Sequence, residues 1–250
     1  MLRRLLDVLP SVTPPGRPVR VLDCGGGSGT FAVPLARAGA HVTVLDISAD
    51  ALATLARRAA EAGVADAVSG VAADVEALDP VEAALAPADL VLAHGVLGAV
   101  DDVRRTFAGI AAAVRRGGVL SLVVTNPVAG VLARALAGDL RSALVELREL
   151  GRSAHAAGPV EIERLCREHG LVLEDRAGVG AFSDIVPGAA LDTPAAREAL
   201  EQLDAEASAC EPFASVAGRL HLLARRPATP PDAPGAPDAP GAGRSADDGP

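Results

Sequence analysis

The 250-residue chain has no Trp, no Tyr and no Lys, and four Phe supply every aromatic ring. Asn and Gln occur once each, while Ala and Arg abound. This skew reads as nucleotide composition bias, so nothing about chemistry is drawn from the missing lysine. No apolar run approaches the roughly eighteen residues needed to span a bilayer, which argues against a membrane partner. The opening MLRRLLDVLP is too short and too charged for a secretory signal. Cys24, Cys166 and Cys210 are widely spaced and odd in number, with no pair at metal-ligand spacing. They read as reduced thiols of a cytoplasmic protein, and no metal is expected. A net charge of −9 is a weak footprint for nucleic-acid binding, which normally draws on a basic stripe, although a local patch is compatible with it.

What is present is alternation. Helix-like stretches fall at 2–9, 30–39, 49–63, 101–115, 160–170 and 194–210, with a helical insertion at about 128–150. Strand-like stretches fall at 19–23, 41–47, 68–74, 88–96, 119–126, 171–180 and 219–226. The pattern predicts an α/β fold: a Rossmann-like, seven-stranded, mostly parallel sheet with the last strand antiparallel and helices on both faces. Residues 1–227 form one domain on this reading. Residues 228–250, with a tandem PDAPGA and almost nothing to bury, are expected to form a disordered Pro/Ala/Gly/Asp tail.

VRVLDCGGGSGTFAVPLA, residues 19–36, runs from a strand through a knot of glycines into a helix. In such sheets the ligand sits outside the carboxyl ends of the strands, where the strand order reverses. The dinucleotide spacing G-x-G-x-x-G would need glycines at 25, 27 and 30, and Thr30 breaks it. What stands is D-x-G-x-G-x-G: Asp23, Gly25, Gly27 and Gly29, with an extra Gly26. Three carboxylates end successive strands. Asp46 suits the two hydroxyls of a ribose, and Asp74 an adenine amino group. Asp23 either holds the loop or meets an ammonium group through water. A pyrophosphate would prefer fewer acids. A nucleoside carrying a cation, such as S-adenosylmethionine, suits them better.

VLDCGGGSG, VTVLDIS and the AAD at 72–74 stand in the order and spacing of the class I S-adenosylmethionine-dependent methyltransferases, which the chain resembles over about residues 15–126. The resemblance implies S-adenosylmethionine as cofactor, held at Gly25, Gly26, Gly27 and Gly29, at Asp46 and Ile47, and at Ala73 and Asp74, with Asp23 beside them. LVLAHGVLGAVDD (90–102), RRGGVLSLVVTN (115–126), LAGDL (136–140), GVGAFSDIVPG (178–188) and EPFASVAGRLHLLARRP (211–227) are similar, in order, to the tRNA 5-carboxymethoxyuridine methyltransferases. That likeness spans nearly the whole folded chain and implies methyl-ester formation on a carboxylate of the modified wobble uridine. Three departures bear on the substrate. Gly180 stands where that family carries an Arg. AHAAGPVE (154–161) replaces a Lys- and Arg-rich segment, and the family's Tyr- and basic-rich cover segment has no counterpart before MLRRLLDVL.

Methyl transfer from a sulfonium is a one-step, in-line displacement whose acceleration comes mostly from positioning. A carboxylate acceptor is already ionised at neutral pH, whereas a hydroxyl or amine usually needs a base. His94, where the fourth strand opens onto the cleft, is a candidate for adenosine contact or methyl-cleft lining. His94 and Asp184 are the candidates for a catalytic role. Asn126, Asp184 and His221 are candidates for the acceptor side, although His221 alternates with core positions and also reads as structural. His41 and His155 read as surface residues. Val128, Val131, Leu132 and Leu136 form an apolar stripe that reads as packing over the cleft or as a lid. The partner is a methyl acceptor, either tRNA or a small molecule. A methyltransferase-like domain that only senses its cofactor is the remaining alternative, and oligomeric state is not legible.

Overall fold

A computed structural model of the chain describes residues 1–78, 87–150 and 158–229. His155, most of the expected tail and part of the 154–161 segment lie outside the described residues. The helices are α1 (Leu2–Val12), α2 (Ala32–Arg37), α3 (Ala49–Glu61), α4 (Val103–Ala112), α5 (Pro127–Leu136), α6 (Leu140–Leu150), α7 (Pro159–Glu168) and α8 (Pro194–Ala207). The strands are β1 (Arg20–Cys24), β2 (His41–Asp46), β3 (Val68–Ala72), β4 (Ala88–His94), β5 (Val114–Thr125), β6 (Val172–Val179) and β7 (Arg219–Arg225).

These strands make one sheet in the order β3-β2-β1-β4-β5-β7-β6. The first five pair in parallel, and β7 enters antiparallel between β5 and β6. The order reverses between β1 and β4, which opens a crevice at their carboxyl ends. Near-continuous apolar runs such as Leu90–Ala93 and Leu120–Val124 are buried because helices cover both faces. One face packs on Phe107 and Ile110 of α4 and Ile162 and Leu165 of α7. The other packs on Leu5, Leu9 and Val12 of α1, Leu35 of α2 and Leu55 of α3.

Three elements differ from the sequence reading. Helix α1 runs through Pro10 to Val12, because Val12 continues the stripe that Leu5 and Leu9 bury. The side-chain hydroxyls of Ser11 and Thr13 donate to the carbonyls of Val8 and Leu9 at 2.8 Å each, easing the end of the helix. Strand β5 begins at Val114, not 119, since the buried Asp89 draws Arg115 onto its carboxylate. The pairing with β4 then shifts between Ala88 and Leu90 to absorb Arg115–Gly118 as a bulge. The insertion is two helices: Gly138, at φ +80°, turns the chain between α5 and α6, which no residue with a Cβ does without strain.

Candidate active site

The loop after β1 is held open by its own hydrogen bonds. Gly25 N–H donates to the Leu45 carbonyl at 2.8 Å, Gly27 N–H to Asp46 Oδ2 at 2.8 Å, and Gly29 N–H to the Gly26 carbonyl at 3.1 Å. Gly25, Gly27 and Gly29 have φ of +69°, +56° and +80°, values that side chains rarely allow. Gly26 is required for a different reason: a Cβ there would lie 2.5 Å from the Asp23 carboxylate. Arg58 of α3 donates to the Ser28 carbonyl at 3.0 Å and anchors the far side of the loop.

Three strand-end acids stand around this loop. Asp23 is buried, and its Oδ2 has no hydrogen-bond partner among the described residues. Desolvation, and the nearby Asp46 carboxylate after it, push Asp23 up to about 7. Asp46 is half-buried and accepts from Gly27 N–H on one oxygen and Ser48 N–H on the other, both at 2.8 Å. Each oxygen keeps a lone pair for a ligand. Ile47, next in the chain, is 77% exposed, an apolar side chain with nothing covering it. Ala73 N–H donates to the Asp46 carbonyl at 3.2 Å, and the exposed Asp74 accepts from Glu76 N–H at 2.9 Å at the start of a short turn. The geometry thus brings Asp23, the glycine loop, Asp46, Ile47, Ala73 and Asp74 along one rim of the sheet.

His94 ends β4 beside the loop, one residue past the Ala93–Cys24 pairing. Its ring packs edge-on against Phe31, with centroids 4.8 Å apart, and its Nε2 lies 2.8 Å from Ser121 Oγ of β5. On the opposite side the same hydroxyl lies 2.8 Å from His221 Nε2 of β7. Burial lowers both imidazoles, His94 to about 3 with His221 adding to the effect, and His221 to about 4 with Arg4 adding to it. Both are therefore neutral at pH 7.

The acceptor-side candidates separate. A cavity of about 520 Å³ opens beyond β5, lined among others by Asn126, Leu132, Leu136, Gly180, Asp184 and Ile185. Asn126 borders it, but its amide is already engaged. It donates to the Ser215 and Ala217 carbonyls at 2.8 and 2.9 Å and accepts from Val128 N–H to cap α5. Asp184 fits against two glycines, since a Cβ at Gly218 or Gly180 would lie 2.1 or 2.8 Å from its Oδ2. His221 does not reach the cavity; it is 1% exposed inside the sheet.

Three contributors escaped the sequence reading. Ser121 had a signal, a lone hydroxyl within the buried run VLSLVV. Phe31 had none beyond being an aromatic after the loop. Arg219 of β7 pairs with Val179 of β6, the neighbour of Gly180, and sits 3.6 Å from Asp184. Nothing local marked that position.

The described residues contain no helix long and apolar enough to cross a membrane, and Cys24, Cys166 and Cys210 are unpaired. Residues 22–120 match a family described as a methyltransferase domain. The chain is similar to the tRNA 5-carboxymethoxyuridine methyltransferase of Escherichia coli (strain K12), 29% identical over 84% of this chain and 80% of that protein. It is also similar to the ubiquinone biosynthesis O-methyltransferase of Chelativorans sp. (strain BNC1), 32% identical over 68% of this chain and 65% of that protein. Magnesium protoporphyrin IX methyltransferase from Synechocystis PCC 6803, solved with bound SAH, shares the fold at a TM-score of 0.57. That match has 16% identity and covers 90% of this chain and 81% of the other.

Proposed function

We propose that the chain is a class I S-adenosylmethionine-dependent methyltransferase that methylates a carboxylate oxygen, with the modified wobble uridine of tRNA as the acceptor. S-Adenosylmethionine, the cofactor, supplies an electrophilic methyl group on a positively charged sulfur. The residues on the rim suit that molecule. The buried, partnerless Asp23 Oδ2 is the atom an ammonium group would satisfy, directly or through water. The free lone pairs of Asp46 suit the ribose hydroxyls. Exposed Ile47 offers the adenine an apolar face, with Asp74 within the same rim and Gly26 leaving backbone bare beneath the ligand. His94 borders the place where the methyl group would be presented.

The observation that carries the acceptor is Arg219. It pairs with Val179, the neighbour of Gly180, its 50% exposed side chain lies 3.6 Å from Asp184, which lines the cavity, and that ion pair is loose enough to be exchanged. A guanidinium there takes a carboxylate bidentately, in the place the family's Arg would serve from position 180. Such an acceptor is ionised at neutral pH, so the chain's task is orientation and exclusion of water. Residues 1–227 act as one catalytic domain, with the α5–α6 hairpin as an insertion that roofs the acceptor cavity, and the setting is cytoplasmic.

The test is methylation of tRNA from cells lacking the methyl ester, with nucleosides read by mass spectrometry. Formation of 5-carboxymethoxyuridine methyl ester is expected. No ester with cofactor-saturated protein would overturn the reading. A second reading, a small-molecule O-methyltransferase, is favoured by the carboxylates of Asp184 and Glu146 lining the cavity, which a phosphate backbone would avoid. Turnover of a phenolic hydroxyl in place of tRNA would establish it.

A further inference from the structure

Four Phe are all that the chain has by way of Phe, Tyr or Trp, and their placement is uneven. Phe107 is wholly buried in the core, and Phe31 packs on His94. The other two, Phe182 and Phe213, meet each other at the surface, with centroids 5.4 Å apart and planes tilted by 44°. Phe182 follows β6 in a turn, and Phe213 opens a single helical turn, Phe213–Val216, ahead of β7.

Both rings are fixed from behind. The Phe182 and Ser183 N–H groups donate to the two oxygens of Asp204 of α8, at 2.8 and 3.3 Å. The Phe182 carbonyl accepts from the N–H groups of Ile185 and Val186 at 3.0 and 2.9 Å. Behind Phe213, the backbone lies so close to β6 that a Cβ at Gly178 would stand 2.8 Å from the Cα of Ala214. Asn126 holds the carbonyls of Ser215 and Ala217, which ties this turn to the end of β5. Ala214 and Ala217 are buried by that packing, yet Phe213 stays 43% exposed. A large apolar ring is thus held firmly and left open to solvent.

The seat adjoins the acceptor cavity. Ala181 and Asp184, on either side of Phe182, line it. So does Val216, which shares a helix face with Phe213 three residues earlier. Asp184 in turn meets Arg219, the residue assigned above to the acceptor carboxylate. The cavity's own carboxylates, Asp184 and Glu146, discourage phosphate contacts, whereas a ring contact needs no charge. Bases of unpaired RNA loops are held in this way, by stacking on aromatic side chains.

We propose that Phe213, backed by Phe182, is a stacking platform for a nucleobase adjoining the nucleotide that is methylated. The proposal rests on the tRNA reading for its partner. It gives the hold on the anticodon loop to a ring face and not to a basic stripe, in keeping with the net charge of −9.

The test is a cycle of affinities for the whole protein with S-adenosylhomocysteine, using an anticodon stem-loop RNA that carries 5-carboxymethoxyuridine. Each base beside the wobble position is replaced in turn by an abasic residue. Phe213→Leu keeps an apolar side chain but removes the π face, and should weaken binding of the intact stem-loop about tenfold. On one of the two abasic RNAs the same substitution should change affinity by less than about twofold. Phe213→Trp should bind as wild type does. The Leu deficit should be equal at low and high salt, since a stack releases no counterions. Equal losses on the intact and both abasic RNAs overturn the platform, as does wild type that fails to bind the stem-loop. Loss of cofactor affinity in Phe213→Leu would assign the ring to the fold and overturn it too. If Phe213→Leu slows turnover of a phenolic acceptor and leaves RNA binding unchanged, the ring serves a small molecule and the proposal falls. Ester formation on tRNA with no effect of Phe213→Leu refutes the platform and leaves the tRNA reading standing. Coupled binding without ester formation refutes that reading and leaves the platform.

Discussion

At the carboxyl ends of β1, β2 and β3 the site is made largely of backbone. Glycines leave peptide groups bare, and short acids tied to neighbouring N–H groups hold them in place. Beyond β5 it is made of side chains from distant segments: Arg219 against Asp184, Glu146 from α6 against Arg134 of α5, and Asn126 holding the turn between strand and helix. Backbone geometry tolerates little change, so substitutions in the first region are costly. Half-exposed charged pairs are individually weak, so the second can be exchanged at small cost to stability. On the proposed function, the cofactor falls to the backbone-built half, and substrate choice to the exchangeable half.

The largest test of that division is Asp46→Ala. It removes both the acceptor of Gly27 N–H and the proposed ribose contacts, and cofactor affinity by calorimetry should fall about 100-fold. Equal loss of tRNA binding in the absence of cofactor would erase the separation of the halves.

Next is the pH dependence carried by Asp23. Its folded-state value of about 7 lies above the roughly 4 of an unfolded chain, so the unliganded fold holds this proton more tightly. The contribution to stability is present below pH 4 and is lost as pH rises toward 7. A cationic ligand reverses the preference and drives the proton off. Cofactor affinity should rise about 20-fold from pH 5.5 to 7.5, and Asp23→Asn should flatten that slope.

On the acceptor side, Arg219→Ala should raise the acceptor KM about tenfold while leaving cofactor affinity unchanged. The smallest effect is expected from Asp184→Asn. Freeing Arg219 from an exposed ion pair should lower the acceptor KM about threefold, and a rise instead would make Asp184 a substrate contact in its own right.

That Asp23, the glycine loop, Asp46 and Asp74 gather along one rim was legible because the pattern is local in the chain. VLDCGGGSG places the acid, the turn and the helix start within a few residues, and each later acid ends a strand that hydrophobic patterning already marks. His94 was singled out for the same reason, at a strand end. Ser121 was passed over, because one hydroxyl in VLSLVV has meaning only when histidines from β4 and β7 meet it. His221 was offered to the acceptor, yet its place in the sheet interior gives it to Ser121. Asn126 was offered likewise, and the carbonyls of Ser215 and Ala217, far along the chain, take up its amide. The start of β5 was misplaced since its cause, Asp89 pulling in Arg115, is a contact across strands.

Strand and helix order, the glycine turn and the acids beside it follow from periodicity and from steric rules that act within a few residues. They are properties of the chain read in one dimension. The Ser121 hydroxyl set between His94 and His221, the Arg219–Asp184 pair and the burial of Asp23 depend on β7 entering antiparallel between β5 and β6, on α1 covering the sheet, and on α5 folding back on α6. Hydrogen bonds and charges are settled by neighbours in space, and only the folded sheet determines which residues those neighbours are.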